Sequence, residues 1–193
     1  FDALNTANGY SLFSYCNFKS AKTLGTETDG GAIYCKSWSK VYIDYSTFEN
    51  CSAVDDGGAV YCELSYPIIR NCTFRNNNAT DGGAIYNTGT GDQIIVNNQF
   101  YENSASKGGA LFVANTKTII NNTVVNNTAS VSGGAIHIDS NSPSLYNNIL
   151  WGNETAGIEN QLCLNNTNSD PKFYNNNIQG GLNGFTGAGS GYE

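Results

Sequence analysis

Five copies of one phrase constrain this chain more than any other feature. Gly30-Gly31-Ala32-Ile33-Tyr34-Cys35 returns as Gly57-Gly58-Ala59-Val60-Tyr61-Cys62, Gly82-Gly83-Ala84-Ile85-Tyr86-Asn87, Gly108-Gly109-Ala110-Leu111-Phe112-Val113 and Gly133-Gly134-Ala135-Ile136-His137-Ile138, at spacings of 27, 25, 26 and 25 residues. A second phrase keeps the same beat: Phe48-Glu49-Asn50-Cys51, Phe74-Arg75-Asn76-Asn77, Phe100-Tyr101-Glu102-Asn103, Val124-Val125-Asn126-Asn127 and Leu150-Trp151-Gly152-Asn153, with a degenerate earlier copy at Phe18. A fixed period of roughly 20 to 50 residues marks an array whose units bury their apolar faces only by stacking on one another.

Each period holds two or three short alternating segments bounded by Asn, Asp, Ser and Gly, which is a strand signal. A leucine-rich repeat needs several Leu per period, and helical repeats need Gly-free stretches of 3.6-residue periodicity; the chain has neither. The pattern therefore predicts an all-β fold, a right-handed parallel β-helix of roughly seven coils of about 25 residues each. Its 193 residues read as one domain: an irregular first coil over 1–29, regular repeats over 30–153, a degenerate last coil over 154–179 and a Gly-rich tail over 180–193. Within these, 11–18 reads as a strand followed by a turn, 21–29 as an outward insertion, 161–164 as the last strand, 170–178 as one more partial coil and the tail as a flexible or docking segment.

The register can be tested without coordinates. Stacked coils place equivalent residues about 4.8 Å apart, so charges in one column should alternate in sign between neighbours. Three columns do: Lys19, Glu49, Arg75; Lys36, Glu63; and Asp44, Arg70, in a chain only 13% charged. In that register Ile33, Val60, Ile85, Leu111 and Ile136 form one inward ladder. Ile43, Ile69, Ile95, Ile119 and Leu145 form a second, and Phe48, Phe74, Phe100, Val124 and Leu150 a third. Asn77, Asn103, Asn127 and Asn153, with Asn98, Asn122 and Asn148, line up at coil corners. There stacked amides hydrogen-bond along the axis, in addition to suiting tight turns.

Composition narrows the partners. A net charge of -7 with nine basic residues leaves no Lys/Arg stripe for nucleic acid. No apolar run approaches the roughly 20 residues of a membrane span. No leader pattern precedes Phe1, as expected of a matured product or an excerpt. Seven Asn-x-Ser/Thr sequons, at Asn50, Asn71, Asn78, Asn121, Asn126, Asn153 and Asn165, are glycosylation candidates, although a chain this rich in Asn, Ser and Thr produces nearly as many by chance. The Asn/Gly/Thr-rich, Met-free surface favours a secreted or cell-surface location.

Three columns carry candidate chemistry. Asp29, Asp56 and Asp81 precede the glycine pair on successive coils, and stacked carboxylates suit Ca²⁺. The column continues as Lys107 and Ser132, which fits a solvated turn instead. Tyr34, Tyr61, Tyr86, Phe112 and His137 alternate with an inward ladder and so face outward, either as a ring stripe for sugars or a protein neighbour or as a stiffening stack. His137, the single histidine, reads as a member of that stripe. Of the six cysteines (Cys16, Cys35, Cys51, Cys62, Cys72, Cys163), Cys35 and Cys62 are column neighbours within disulfide range, and a reduced stack fits equally well. No CxxC zinc pattern occurs, no catalytic residue is identified, and no cofactor is expected beyond the calcium alternative.

The Gly-Gly-Ala-Ile and Phe-x-x-Asn phrases over residues 15–153 resemble the repeats of the polymorphic membrane protein family, surface-displayed right-handed parallel β-helices. That resemblance implies an extracellular, adhesin-like structural role and carries over no catalytic residues. The chain departs from the family pattern in having no C-terminal membrane barrel. Partners are then cell-surface glycans or proteins of a host or neighbour. Alternatively they are further copies of the chain, because neither end supplies a polar capping helix and open ends stack into filaments or continue a longer array. The enzymatic alternative is a polysaccharide lyase or hydrolase, against which stands the use of most basic residues in the complementary columns.

Overall fold

The computed structural model describes residues 10–24, 28–37, 40–88, 93–140 and 142–187. Positions 1–9 of the opening coil, 25–27 of the insertion and 188–193 of the tail lie outside the described residues. The chain winds as a parallel solenoid whose coils contribute to three seven-stranded sheets. Sheet I collects the segments after the glycine pairs: Ile33–Lys36, Val60–Glu63, Ile85–Asn87, Leu111–Val113, Ile136–Ile138, Leu162–Leu164 and Phe185–Gly187. Sheet II runs Ser11–Ser14, Lys40–Asp44, Tyr66–Arg70, Ile94–Val96, Thr118–Ile120, Ser144–Tyr146 and Lys172–Tyr174. Sheet III runs Asn17–Lys19, Thr47–Glu49, Thr73–Arg75, Gln99–Tyr101, Thr123–Val125, Ile149–Trp151 and Asn177–Ile178. A short fourth sheet, Ser104–Lys107, Thr128–Ser132, Glu154–Thr155 and Ile158–Glu159, closes the later coils.

The pairing follows the columns read from sequence. Ile85 is the register partner of Leu111, Ile43 of Ile69 and Phe74 of Phe100. Like thus stacks on like in a dry core: Phe48, Phe74 and Phe100 are fully buried, with successive ring centroids 4.7 and 4.9 Å apart. The charge columns close as ion pairs, Lys36–Glu63 at 2.8 Å, Arg70–Asp44 at 2.8 Å and Arg75–Glu49 at 3.0 Å, with Lys19–Glu49 at 3.7 Å.

Two sharp corners bound sheet III, and both are written in Asn. At the corner from sheet II the turning residue takes a left-handed conformation, as at Asn71, Asn97, Asn121 and Asn147 (φ 53–56°). Asn tolerates that region better than most side chains, which explains its recurrence. The next residue turns inward and begins a ladder. Asn98 donates from Nδ2 to Asn122 Oδ1 at 3.1 Å, Asn122 to Asn148 Oδ1 at 3.1 Å, and Asn148 to Asn176 Oδ1 at 2.9 Å. The other corner repeats the device with Asn77, Asn103, Asn127 and Asn153, each step 2.9 Å. Every interior amide also donates to a carbonyl of the preceding coil and accepts a backbone N–H from it, so these buried groups are satisfied, as burial requires.

Both ends continue the winding. Residues 10–20 are regular enough to supply the first strands of sheets II and III. The 161–164 segment is followed by three further strands. The tail folds through a 3₁₀ turn, Gly181–Gly184, into a strand whose Phe185 pairs with Leu162. Apolar side chains explain it: Phe185 stacks on Phe173 at 5.2 Å and packs on the core, so this part of the Gly-rich segment docks. Among the described residues no helix is long and apolar enough to cross a membrane.

Candidate functional site

The glycine pair shapes an axial strip on the outer side of sheet I. Its first glycine is left-handed in every copy (φ 63–67°), and its second lies where the coils touch. A Cβ on Gly83 would sit 2.2 Å from the Gly109 carbonyl oxygen. The reversal brings the residue before the pair over the ring five positions later. Two columns separated in the sequence reading, Asp29/Asp56/Asp81 and Tyr34/Tyr61/Tyr86, are therefore one feature. The carboxylates act on the rings: burial first, then Glu63 and Asp29, push the Tyr61 phenol up, and burial with Asp56 and Asp81 does the same to Tyr86.

Tyr34, Tyr61, Tyr86, Phe112 and His137 do face away from the core ladder, and their rings stack in sequence with centroids 4.7–5.3 Å apart. Stacking occupies the ring faces, and Tyr61, Phe112 and His137 are buried. The stripe is a covered stack whose edges, rather than faces, meet the surroundings; the Tyr61 hydroxyl donates to Glu63 Oε2 at 3.4 Å.

Along the acidic wall, Asp56 N–H donates to Asp29 Oδ1 at 3.1 Å, and Lys107 Nζ lies 3.4 Å from Asp81 Oδ2. Burial, then the charges of Asp81, Asp29 and Asp55, push the Asp56 carboxyl up to about 7. Among the described residues no group of three or more His, Cys, Asp or Glu is arranged to hold a metal ion.

At its C-terminal end the strip changes chemistry. Ser132 occupies the Asp position, and its Oγ is 2.9 Å from His137 Nδ1. The ring column continues from His137 to Cys163 and Thr186 in strict register. Burial pushes the Cys163 thiol up, opposed by the neighbouring Thr186 and Ser132 hydroxyls. Burial likewise lowers His137, opposed by the Asp139 charge and reinforced by Lys107. Asn160, itself buried, donates from Nδ2 to Thr186 Oγ1 at 2.9 Å while its Oδ1 has no partner.

The winding agrees with a comparison of the sequence with known families: the family model described as the right-handed beta helix region matches residues 3–178. The chain belongs to the right-handed β-helix family. No curated protein and no solved structure matches it.

The remaining sequence candidates find their places in the β-helix. Cys35 and Cys62 are fully buried register partners, and the neighbouring Cys35 thiol, with burial, pushes the Cys62 thiol up. All six cysteines stand as free thiols. The sequons at Asn71, Asn121 and Asn126 are by-products of the corners: a left-handed Asn, an inward ladder residue, then the Thr that opens the next strand; Asn50 repeats the form as Asn-Cys-Ser. Asn50, Asn78, Asn121, Asn126 and Asn165 are exposed, and Asn71 donates to Asp44 Oδ1 at 3.0 Å. Asn153 must be withdrawn from the glycan candidates. It is fully buried, and its Nδ2, the atom a glycan would occupy, donates to Val124 O, Trp151 O and Gln161 Oε1.

In the sequence Ser132 reads only as a glycine-pair neighbour and His137 only as a ring in a stack. The signal that joins them is the five-residue offset already present between Asp56 and Tyr61.

Proposed function

We propose that this β-helix is an extracellular scaffold whose role is structural and adhesive, displayed at or released from a cell surface, and that this role requires no reaction. The observation that supports it is the outer face of sheet II. Most polar groups of the coils are committed to their neighbours through amide ladders and ion pairs. On sheet II no ladder demands apolar outward residues, yet Leu12, Tyr42, Ile68 and Ile94 follow one another in one outward column and Val96, Ile120, Tyr146 and Tyr174 in the next. Leu12 is 56% exposed and Tyr174 43%. A contiguous apolar surface on a rigid flat sheet is what a contact face needs. The partners proposed are cell-surface glycans or proteins. A glycan and matrix-protein binding screen tests the reading, with Ile94→Lys and Ile120→Lys expected to abolish any binding found; binding unaffected by both refutes it.

The same proposal extends to the ends. Within the described residues Ser11–Ser14 and Lys172–Tyr174 each pair on one edge only, and half-buried Phe13, Phe18 and Ile178 lie beside those edges. A second copy of the chain stacking there buries them and generates an open, non-closing contact. Electron microscopy at high concentration is expected to show filaments; dispersed monomers alone refute this part.

A further inference from the structure

The Ser132–His137 pair goes beyond a scaffold. In earlier coils the two N–H groups of the glycine pair donate to the next coil: Gly82 to Lys107 O at 2.9 Å and Gly83 to Gly108 O at 3.1 Å, then Gly108 to Ser132 O at 2.9 Å and Gly109 to Gly133 O at 3.0 Å. After Gly133 and Gly134 the pattern stops. The next coil has no glycine pair there, and an antiparallel hairpin joining Glu154–Thr155 to Ile158–Glu159 takes its place. Among the described residues neither Gly133 nor Gly134 N–H has a hydrogen-bond acceptor.

Three groups of the kind a nucleophilic site uses lie on one coil where the repeat breaks: a partly exposed hydroxyl, a buried imidazole 2.9 Å from it, and the two buried N–H groups that directly follow the hydroxyl residue in the chain and have no acceptor among the described residues. None of the three is demanded by stacking, since the preceding coils hold Asp or Lys in the Ser132 column and Tyr or Phe in the His137 column. We infer that Ser132 and His137 form a nucleophile–base pair that cleaves small, unhindered carboxylic esters, with the Gly133 and Gly134 N–H groups receiving the oxyanion.

In the tautomer protonated at Nε2, His137 Nδ1 accepts the Ser132 hydroxyl proton as Oγ bonds to the ester carbonyl carbon, and the carbonyl π pair moves onto oxygen. Collapse of the adduct breaks the bond to the alkoxy oxygen, which leaves as the alcohol with the proton from the imidazolium. Water then repeats the sequence on the acyl-serine and releases the carboxylic acid. Burial supports the base role by keeping His137 neutral to a lower pH than a free imidazole. Cys163 and Thr186 continue the column beside the pair in strict register.

The solenoid supplies its own fold-neutral substitutions. His137→Phe copies Phe112 in the coil below, and Ser132→Ala removes only a partly exposed hydroxyl. The test is incubation of the full chain with p-nitrophenyl acetate and, separately, with an alkyl fluorophosphonate, followed by peptide mass mapping. The expected result is nitrophenol release, with a phosphonyl adduct on Ser132. Each variant lowers both rates by about a hundredfold or more, the usual scale for loss of a positioned base or its partner. Release should also rise with pH through a titration below the ordinary histidine value. Unchanged circular dichroism and melting of the variants separate lost chemistry from lost fold. Rates equal to those of Ser132→Ala in the wild-type chain, or an adduct on Cys163 in place of Ser132, overturn the inference.

Discussion

Removing one rung of an amide ladder is the sharpest test of what holds the coils together. Asn103 donates from Nδ2 to Phe74 O at 3.1 Å and to Asn127 Oδ1 at 2.9 Å, while its Oδ1 accepts the Asn77 backbone N–H at 3.0 Å and Asn77 Nδ2 at 2.9 Å. Asn103→Ala deletes these four bonds. At a net value of about 1 kcal/mol each they sum to about 4 kcal/mol, and the Asn77 N–H, stranded in a corner that water does not reach, adds about 1–3 kcal/mol. Against a typical domain stability of about 5–15 kcal/mol the loss is large. Asn115→Ala is the control: that side chain is exposed and makes one long bond, 3.4 Å to Thr88 O, so its expected cost stays within about 0.5 kcal/mol. Urea titration followed by circular dichroism gives both midpoints, and amide exchange at Asn77 and Asn127 shows whether the loss is local to the corner. A cost below about 1 kcal/mol for Asn103→Ala would falsify the view that the ladder, rather than the apolar columns alone, fixes the coils in register.

Acid should help this fold over part of the pH range. Asp56 has a folded value raised to about 7 from 3.8, so its contribution is full below the unfolded value and is lost as pH rises toward about 7; the urea midpoint falls between about pH 4 and 7, and Asp56→Asn flattens that segment while raising the midpoint at pH 8. The ion pairs should rank by burial: Arg70→Ala leaves Asp44, only 8% exposed, without its two guanidinium bonds and costs about 1.5–3 kcal/mol, whereas Lys19→Ala, at 63% exposure and 3.7 Å, costs less than about 1 kcal/mol by the same titration. Gly83→Ala places a methyl 2.2 Å from a backbone oxygen of the next coil and is expected to prevent folding; recovery of a soluble variant with native circular dichroism refutes that close approach. In a glycosylating host, peptide mapping should leave Asn153 unmodified in all folded material, because its amide nitrogen is committed within the ladder.

The winding was legible because it is written redundantly. Lys36 opposite Glu63 and Arg70 opposite Asp44 each point to the same offset, and three apolar columns agree with it. The corner amides were legible for the same reason. What escaped was anything that depends on the path between columns. Alternation places Tyr61 and Phe112 outward correctly, but it says nothing of the left-handed glycine that folds the preceding residue back over them, and so misses that their ring faces are occupied. The strand at Phe185–Gly187 was hidden by its glycines, since one aromatic ring stacked on Phe173 outweighs a turn-like composition. Sequon counting failed in the opposite sense, for the Asn-x-Thr pattern is produced by the corner itself at Asn121 and Asn126.

A parallel solenoid satisfies each polar group by passing it to the coil above. Asn77 hands its amide to Asn103, Glu49 shares its carboxylate between Lys19 and Arg75, and the Gly108 N–H finds Ser132 O. Side chains within such columns are explained by their neighbours, and recurrence there speaks of stacking. Chemistry beyond stacking has to be sought where the transfer fails or was never required. The apolar outer columns of sheet II were never required, and they face outward where a partner can reach them. At Gly133 and Gly134 the transfer fails, and on that coil the Asp and ring columns become Ser132 and His137, joined by a hydrogen bond. Substituting residues from neighbouring coils at these two places leaves every stacking contact in kind, so a change in binding or ester cleavage without a change in melting would separate what the coils do from how they stand.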